Sequence, residues 1–273
     1  VVVATDDQRI AEVVSGFGGE VVMTRPDHVS GTDRLAEAAE LLNISEYDVV
    51  VNIQGDQPLF PPEVVLQVAR PLLEDPALPM STLIYQIIRA EEISDPNHVK
   101  TVFDRNGHAL YFSRSAIPYQ RNPESEQPTY YKHLGFYAYR KGFLLSFVAL
   151  PEGEWERFEK LEQLRALEYG YKIKVVLTEH DSIEVDTEDE LTRVEQMLAA
   201  NPALLDQGMQ IDAGSYQEMQ EFMAELEQAE FSAEEVTIDG LSGMKFTASH
   251  PEEGIIEAVI APELPIVPLM EAR

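Results

Sequence analysis

The run Tyr47-Asp48-Val49-Val50-Val51 stops abruptly in Asn52-Ile53-Gln54-Gly55-Asp56-Gln57-Pro58. A short β-branched run that breaks into Gly, Asp and Pro reads as a buried strand turning into a loop at its carboxyl end. In open α/β sheets ligands bind at that edge. A carboxylate held there suits a divalent cation, and Mg²⁺ takes one or two protein carboxylates together with substrate phosphates. Asp56 is therefore a candidate metal ligand in a site for a phosphorylated substrate. The same spacing also fits an Asp that caps the following helix.

The first 200 residues alternate strand-like and helix-like runs. Strands are expected at Val1–Ala4, Glu20–Met23, Val49–Ile53, Met80–Ile87, Val99–Phe103, Ala109–Ser113, Lys132–Tyr139 and Lys172–Thr178. Helices are expected at Gln8–Gly16, Gly31–Leu42, Pro62–Asp75, Lys141–Ala149, Phe158–Tyr169 and Thr187–Ala200. Pro71 inside the third helical pattern predicts a kink or an early end. Alternation at the front implies a parallel sheet, whereas Val99–Tyr139 reads as successive strands and implies a β-rich insertion. The chain opens on Val1-Val2-Val3-Ala4-Thr5-Asp6-Asp7, already a strand and its exit loop, which reads as the start of a truncated domain.

Composition limits the function classes. The sequence has 273 residues, no cysteine and a net charge of −29. No disulfide, thiolate metal site or Cys nucleophile is available, in keeping with a reducing cytoplasm. Such acidity disfavours nucleic-acid and anionic-membrane partners, and no apolar run is long enough for a transmembrane helix. From Pro202 to Arg273 there are 15 acidic residues against Lys245 and Arg273. That shift predicts a boundary, with one domain over 1–201 and an acidic appendage over 202–273. The appendage reads as α+β: a helix at Gln217–Gln228, then Glu235–Ile238 and Gly243–Ala248 flanking the hairpin turn Asp239-Gly240, and a third strand at Gly254–Ala261.

Four patches carry chemistry. Gln54-Gly55-Asp56 is the first. The second runs from Arg25 to Arg34, where Ser30-Gly31-Thr32 precedes a helix whose free N–H groups suit an anion or simply form a capped turn. The third is Ser113-Arg114, Arg121 and Lys132-His133-Leu134-Gly135-Phe136-Tyr137, whose arginines suit a carboxylate. A lone strand histidine such as His133 also fits a hydrogen-bonded structural residue. The fourth is Glu184-Val185-Asp186-Thr187, where Asp186 could complete a metal site with Asp56 or cap the next helix.

These patches resemble the 3-deoxy-manno-octulosonate (Kdo) cytidylyltransferases. The similarity rests on Val-Ala-Thr-Asp at 3–6, Met-Thr-Arg-Pro-Asp-His at 23–28, Ser-Gly-Thr-Asp-Arg at 30–34 and Asn-Ile-Gln-Gly-Asp-Gln-Pro at 52–58. It continues in Ala-Leu-Tyr-Phe-Ser-Arg at 109–114, Ile-Pro at 117–118, His-Leu-Gly-Phe-Tyr at 133–137, Leu-Glu-Gln-Leu-Arg at 161–165 and Val-Asp-Thr at 185–187. The motifs keep the family's order over residues 1 to about 200 and do not reach the appendage.

The resemblance implies a Rossmann-like α/β nucleotidyltransferase sheet, a Mg²⁺ cofactor and a cytoplasmic homodimer. The implied reaction joins CTP to an acidic eight-carbon sugar, giving CMP-sugar and pyrophosphate for lipopolysaccharide biosynthesis. Asp56 and Asp186 are implied as catalytic Mg²⁺ ligands, and Ser30, Gly31 and Arg34 as the nucleotide pocket. Gln54, Arg114, Arg121, His133, Tyr137, Glu162 and Gln163 are implied as the sugar site. The family's opening strand and basic, Gly-containing phosphate loop have no counterpart here. Ser182-Ile183-Glu184-Val185-Asp186 is closer to variants that use the 8-amino analogue of Kdo. Two rivals stay open: a non-catalytic sugar-acid-binding or regulatory fragment lacking the triphosphate loop, and a transferase that consumes a nucleotide sugar.

Overall fold

The computed structural model describes residues 1–122, 124, 127–182, 185, 191, 192 and 194–197, and the backbone of 230–238, 241–250 and 254–260. The chain divides into two compact units, Val1–Glu63 with Ser182–Arg273, and Val64–Asp181.

In the first unit β1 (Val2–Thr5) and β2 (Glu20–Met23) pair in parallel, with α1 (Gln8–Gly16) as the crossover that parallel strands require. Asp7 caps α1, its carboxylate accepting the Arg9 backbone N–H at 2.7 Å. In α2 (Gly31–Leu41) Thr32, Ala36 and Ala39 recur at helical spacing and are buried. The strand β3 (Val49–Asn52) follows and ends at the Gln54-Gly55-Asp56 turn, closed by the Gln57 N–H on the Gln54 carbonyl at 3.2 Å.

The second unit begins within α3 (Glu63–Glu74) and continues through β4 (Met80–Gln86), α4 (Ala90–Ser94), β5 (Lys100–Phe103), β6 (Ala109–Ser113) and β7 (Tyr131–Arg140). It closes with α5 (Lys141–Val148), α6 (Glu154–Glu159), α7 (Gln163–Glu168) and β8 (Ile173–Thr178). Its strands run in the order β6-β5-β7-β4-β8. Only β4 and β8 pair in parallel; β5 with β6, β5 with β7 and β4 with β7 are antiparallel. The expected β-rich insertion is therefore β5, β6 and β7, strands that follow one another without a helix. Leu83, Phe112, Phe136, Phe147, Leu164 and Ile173 are fully enclosed, each contributing roughly 1.5–3 kcal/mol of burial.

Two local expectations are corrected and one element is added. Of the kink or early end expected at Pro71, the early end does not occur, and α3 runs on to Glu74, close to the Asp75 its pattern implies. Val64, Val68 and Leu72 are buried along one face, and that packing offsets the roughly 3 kcal/mol an interior proline costs. The single helix expected over Phe158–Tyr169 is two, α6 and α7, separated at Lys160, whose φ of 54° is left-handed. The carbonyls of Glu159 and Lys160 turn to the Arg114 guanidinium, at 2.7 and 3.4 Å, instead of continuing a helix. The short α4 has too few residues to display a period and was not expected.

Nearer the C-terminus β9 (Glu230–Ile238), β10 (Leu241–His250) and β11 (Gly254–Ile260) form an antiparallel meander. Pairing of Leu241 with Ile238 agrees with the hairpin expected around Asp239-Gly240. The expected helix Gln217–Gln228 and the cap at Thr187 lie outside the described residues. Among the described residues no helix is long and apolar enough to cross a membrane.

Candidate active site

The first unit gathers its motif residues at strand ends. Arg34, on α2, reaches the loops after both β1 and β2. It donates to Thr24 Oγ1 at 2.6 Å, pairs with the Asp6 carboxylate at 3.0 Å and meets the Arg25 carbonyl at 3.5 Å. Its charge thus fixes the two loops. Ser30 caps α2, its hydroxyl accepting the Asp33 N–H at 3.1 Å. A Cβ placed on Gly31 would stand 3.4 Å from Gln54 Oε1. Gly31, expected at the nucleotide, and Gln54, expected at the sugar, are therefore neighbours in van der Waals range. His28 Nε2 meets the Glu37 carboxylate, and that contact, with the Arg25 N–H at 3.0 Å, holds the Glu37 carboxyl below its usual range.

Asp56 sits exposed on the turn after β3. Its carbonyl accepts the Val185 N–H at 2.8 Å, so Val185 is held against this turn. Asp186 itself lies outside the described residues. Asn52, at the end of β3, is buried with no hydrogen-bond partner for Nδ2 among the described residues. Among the described residues no three His, Cys, Asp or Glu side chains cluster as a metal cage.

In the second unit His133 and Tyr137 project from β7 with ring centroids 5.1 Å apart. Phe112 adds an edge contact to His133 at 5.3 Å. Loss of water around the ring holds the His133 pKa down to about 3, so the imidazole is neutral near pH 7. Arg114 uses three of its five N–H groups on the carbonyls of Glu159, Pro96 and Lys160. The Glu159 carboxylate holds the Arg114 backbone N–H at 2.9 Å and the Ser113 hydroxyl at 2.7 Å. Arg114 thus anchors the junction before α7 and keeps N–H groups in reserve. Gln163 is buried at the start of α7, and its Nε2 has no partner among the described residues. An amide left so is costly unless a ligand completes it. Glu162, next to it, pairs with Arg165 at 3.6 Å. Arg121 is exposed and stands apart from these contacts.

Thr82 escaped the motif reading, and Lys132, part of the third patch, is engaged in an internal ion network. Thr82, buried in β4, binds His133. Lys132, adjacent to His133, is buried in an ion network with Glu92 at 3.1 Å and Asp181 at 2.8 Å, and Arg89 joins both acids. Burial pushes the Glu92 carboxyl up, but hydrogen bonds from Arg89 and Lys132 outweigh it and leave the pKa lowered. The sole signal in the sequence is a lysine inside an otherwise apolar and aromatic strand.

Residues 1–173 match the cytidylyltransferase family. A 3-deoxy-manno-octulosonate cytidylyltransferase of Syntrophus aciditrophicus is 61% identical over 196 residues, covering 72% of this chain and 79% of the relative. An 8-amino-3,8-dideoxy-manno-octulosonate cytidylyltransferase of Shewanella baltica is 52% identical over 200 residues, covering 73% and 81%. Among solved structures, a CMP:2-keto-3-deoxy-manno-octonic acid synthetase complexed with CTP superposes with a TM-score of 0.68 at 43% identity, covering 73% of this chain and 80% of that one. The strand-end motifs, the mixed α/β fold and these likenesses agree: the chain belongs to the cytidylyltransferase family.

Proposed function

We propose that this chain activates Kdo or its 8-amino analogue with CTP, releasing pyrophosphate and supplying CMP-sugar for lipopolysaccharide biosynthesis. The observation that carries the reading is the turn bearing Asp56 at the carboxyl end of β3, with Val185 hydrogen-bonded to it at 2.8 Å. It presents the oxygen chemistry that a hard divalent cation and a nucleotide triphosphate require.

The donor set fits Mg²⁺: Asp56 is exposed at a strand end, and one or two carboxylates leave the remaining positions to water and phosphate oxygens. Asp56 and Asp186 are the residues that would hold it. When bound, Mg²⁺ supplies charge neutralisation and alignment at the phosphates. Ser30 and Gly31, at the N-terminus of α2, offer backbone N–H groups to the nucleotide, and Arg34 keeps the neighbouring loops in place. Gln54, Arg114, Arg121, His133, Tyr137, Glu162 and Gln163 hold the sugar, and orientation supplies part of the rate. The anomeric hydroxyl oxygen forms a bond to the α-phosphorus and gives up its proton to solvent, while the bond from the α-phosphorus to the bridging β-phosphate oxygen breaks and pyrophosphate leaves.

The test is pyrophosphate release from CTP with Kdo and, separately, with the 8-amino sugar. Release with either supports the reading, and CTP left intact with both sugars overturns it. The same reading makes the protein a cytoplasmic homodimer. The lack of cysteine agrees with that compartment, and Leu110, Trp155 and Phe158 leave apolar surface for a second copy. A monomer mass by light scattering would refute the dimer.

A further inference from the structure

The strands β4 and β7 lose register at one place. Thr82 faces Tyr137, yet Ile84, two residues on, faces His133, four residues back. The extra length is a bulge in β7 at Leu134-Gly135-Phe136, and Gly135 takes a φ of 74° that side-chain-bearing residues rarely adopt. Bulges re-aim side chains. This one brings the Phe136 carbonyl and the His133 ring to a single hydroxyl: Thr82 Oγ1 lies 2.6 Å from Phe136 O and 2.9 Å from His133 Nε2.

A threonine hydroxyl has one hydrogen. The Phe136 carbonyl has none, so the Thr82 hydrogen goes there. His133 Nε2 must then carry a hydrogen and donate it to Thr82. In a neutral imidazole the other nitrogen, Nδ1, is consequently a bare acceptor. Nδ1 has no hydrogen-bond partner among the described residues. Thr82 is fully buried, so bulk water does not compete for its hydroxyl.

We propose that Thr82 is a positioning residue that locks His133 in the tautomer protonated at Nε2, so that Nδ1 accepts a hydrogen bond from a hydroxyl of the sugar. The inference rests on the reading above that His133 touches the sugar. It has a consequence for specificity. An acceptor nitrogen repels a carboxylate, so His133 addresses the polyol part of the sugar acid, and the carboxylate is held by other groups.

The experiment is long-range ¹H–¹⁵N correlation of the histidine rings in the whole 273-residue chain between pH 5 and 7.5, beside kinetics. In the unaltered protein His133 should show Nε2 protonated and Nδ1 unprotonated throughout, and the reverse assignment overturns the proposal. Thr82→Val should mix the tautomers and raise KM for the sugar about tenfold, the worth of one hydrogen bond, with KM for CTP unchanged. Thr82→Ser should restore both. A valine variant that folds and keeps the original tautomer and sugar KM refutes the lock. Should it fail to fold, the spectrum of the unaltered protein and the serine variant still decide. His133→Ala separates the two readings: an unchanged sugar KM removes His133 from the sugar site and with it the hydroxyl contact, while the spectra judge the Thr82 lock by themselves.

Discussion

The Val185 backbone N–H donates to the Asp56 carbonyl at 2.8 Å. One strand-end turn is thereby tied to a residue far along the chain. The bond uses main-chain atoms alone, so it survives any side-chain change at Asp56.

Asp56→Asn should therefore leave the fold intact and remove the charge a hard cation prefers. Pyrophosphate release should fall by at least about a hundredfold, since even partners one shell further out cost about 10–100-fold. Turnover within a few-fold of the parent, with an unchanged circular-dichroism spectrum, would exclude Asp56 as a metal ligand.

His133 makes stability depend on pH. Its imidazole is held to a pKa of about 3 by loss of water, against about 6.5 when unfolded. Below 6.5 the unfolded chain binds the extra proton, so stability is complete above that pH and declines as pH falls towards 3. The slope is about 1.4 kcal/mol per pH unit. Urea unfolding at pH 7 and pH 5.5 should show the parent losing about 1 kcal/mol more than His133→Gln. Equal losses in the two proteins would show that the ring titrates normally.

Gly153 precedes α6, and a Cβ there would fall 1.9 Å from Glu168 Oε2. That carboxylate caps the helix, accepting the N–H groups of Glu154 at 2.9 Å and Trp155 at 3.0 Å. Gly153→Ala should push Glu168 away and cost about 1–2 kcal/mol, the worth of a lost cap. Its φ of −78° is ordinary for alanine, so displacement of the cap is the whole effect. In a double-mutant cycle with Glu168→Ala the two costs should not add. Additive costs would mean that alanine harms the fold by another route.

Lys132→Met should destabilise the second unit by about 1–3 kcal/mol, because it removes the buried cation of the network and leaves Glu92 and Asp181 with Arg89, which is half exposed, as their partner. Adding Glu92→Gln should recover part of the loss. If the single variant unfolds at the parent's urea midpoint, the network contributes nothing to stability.

Much of this protein was determined locally. The strand Ala109–Ser113 and the helix Gln8–Gly16 appear with the bounds their patterns imply, since alternation and amphipathicity are properties of a few adjacent residues. The nucleotide-side motifs were legible for a related reason: strand, Gly-Asp turn and capped helix are each continuous in sequence, and the turn closes on its own Gln57 N–H to Gln54 carbonyl bond. Tertiary structure decided the rest. Pro71 stays helical because Val68 and Leu72 find a core to enter. The break at Lys160 arises because Arg114, remote in sequence, claims the carbonyls that would have extended the helix. Thr82 meets His133 only across strands whose pairing and bulge must form first, and Lys132 meets Glu92 of α4 and Asp181 beyond β8 only once those elements pack together. A threonine or lysine in a strand has the same local pattern whether it faces a ligand, a carbonyl or water. Its hydrogen-bond partners are set by packing, and packing is a property of the whole fold.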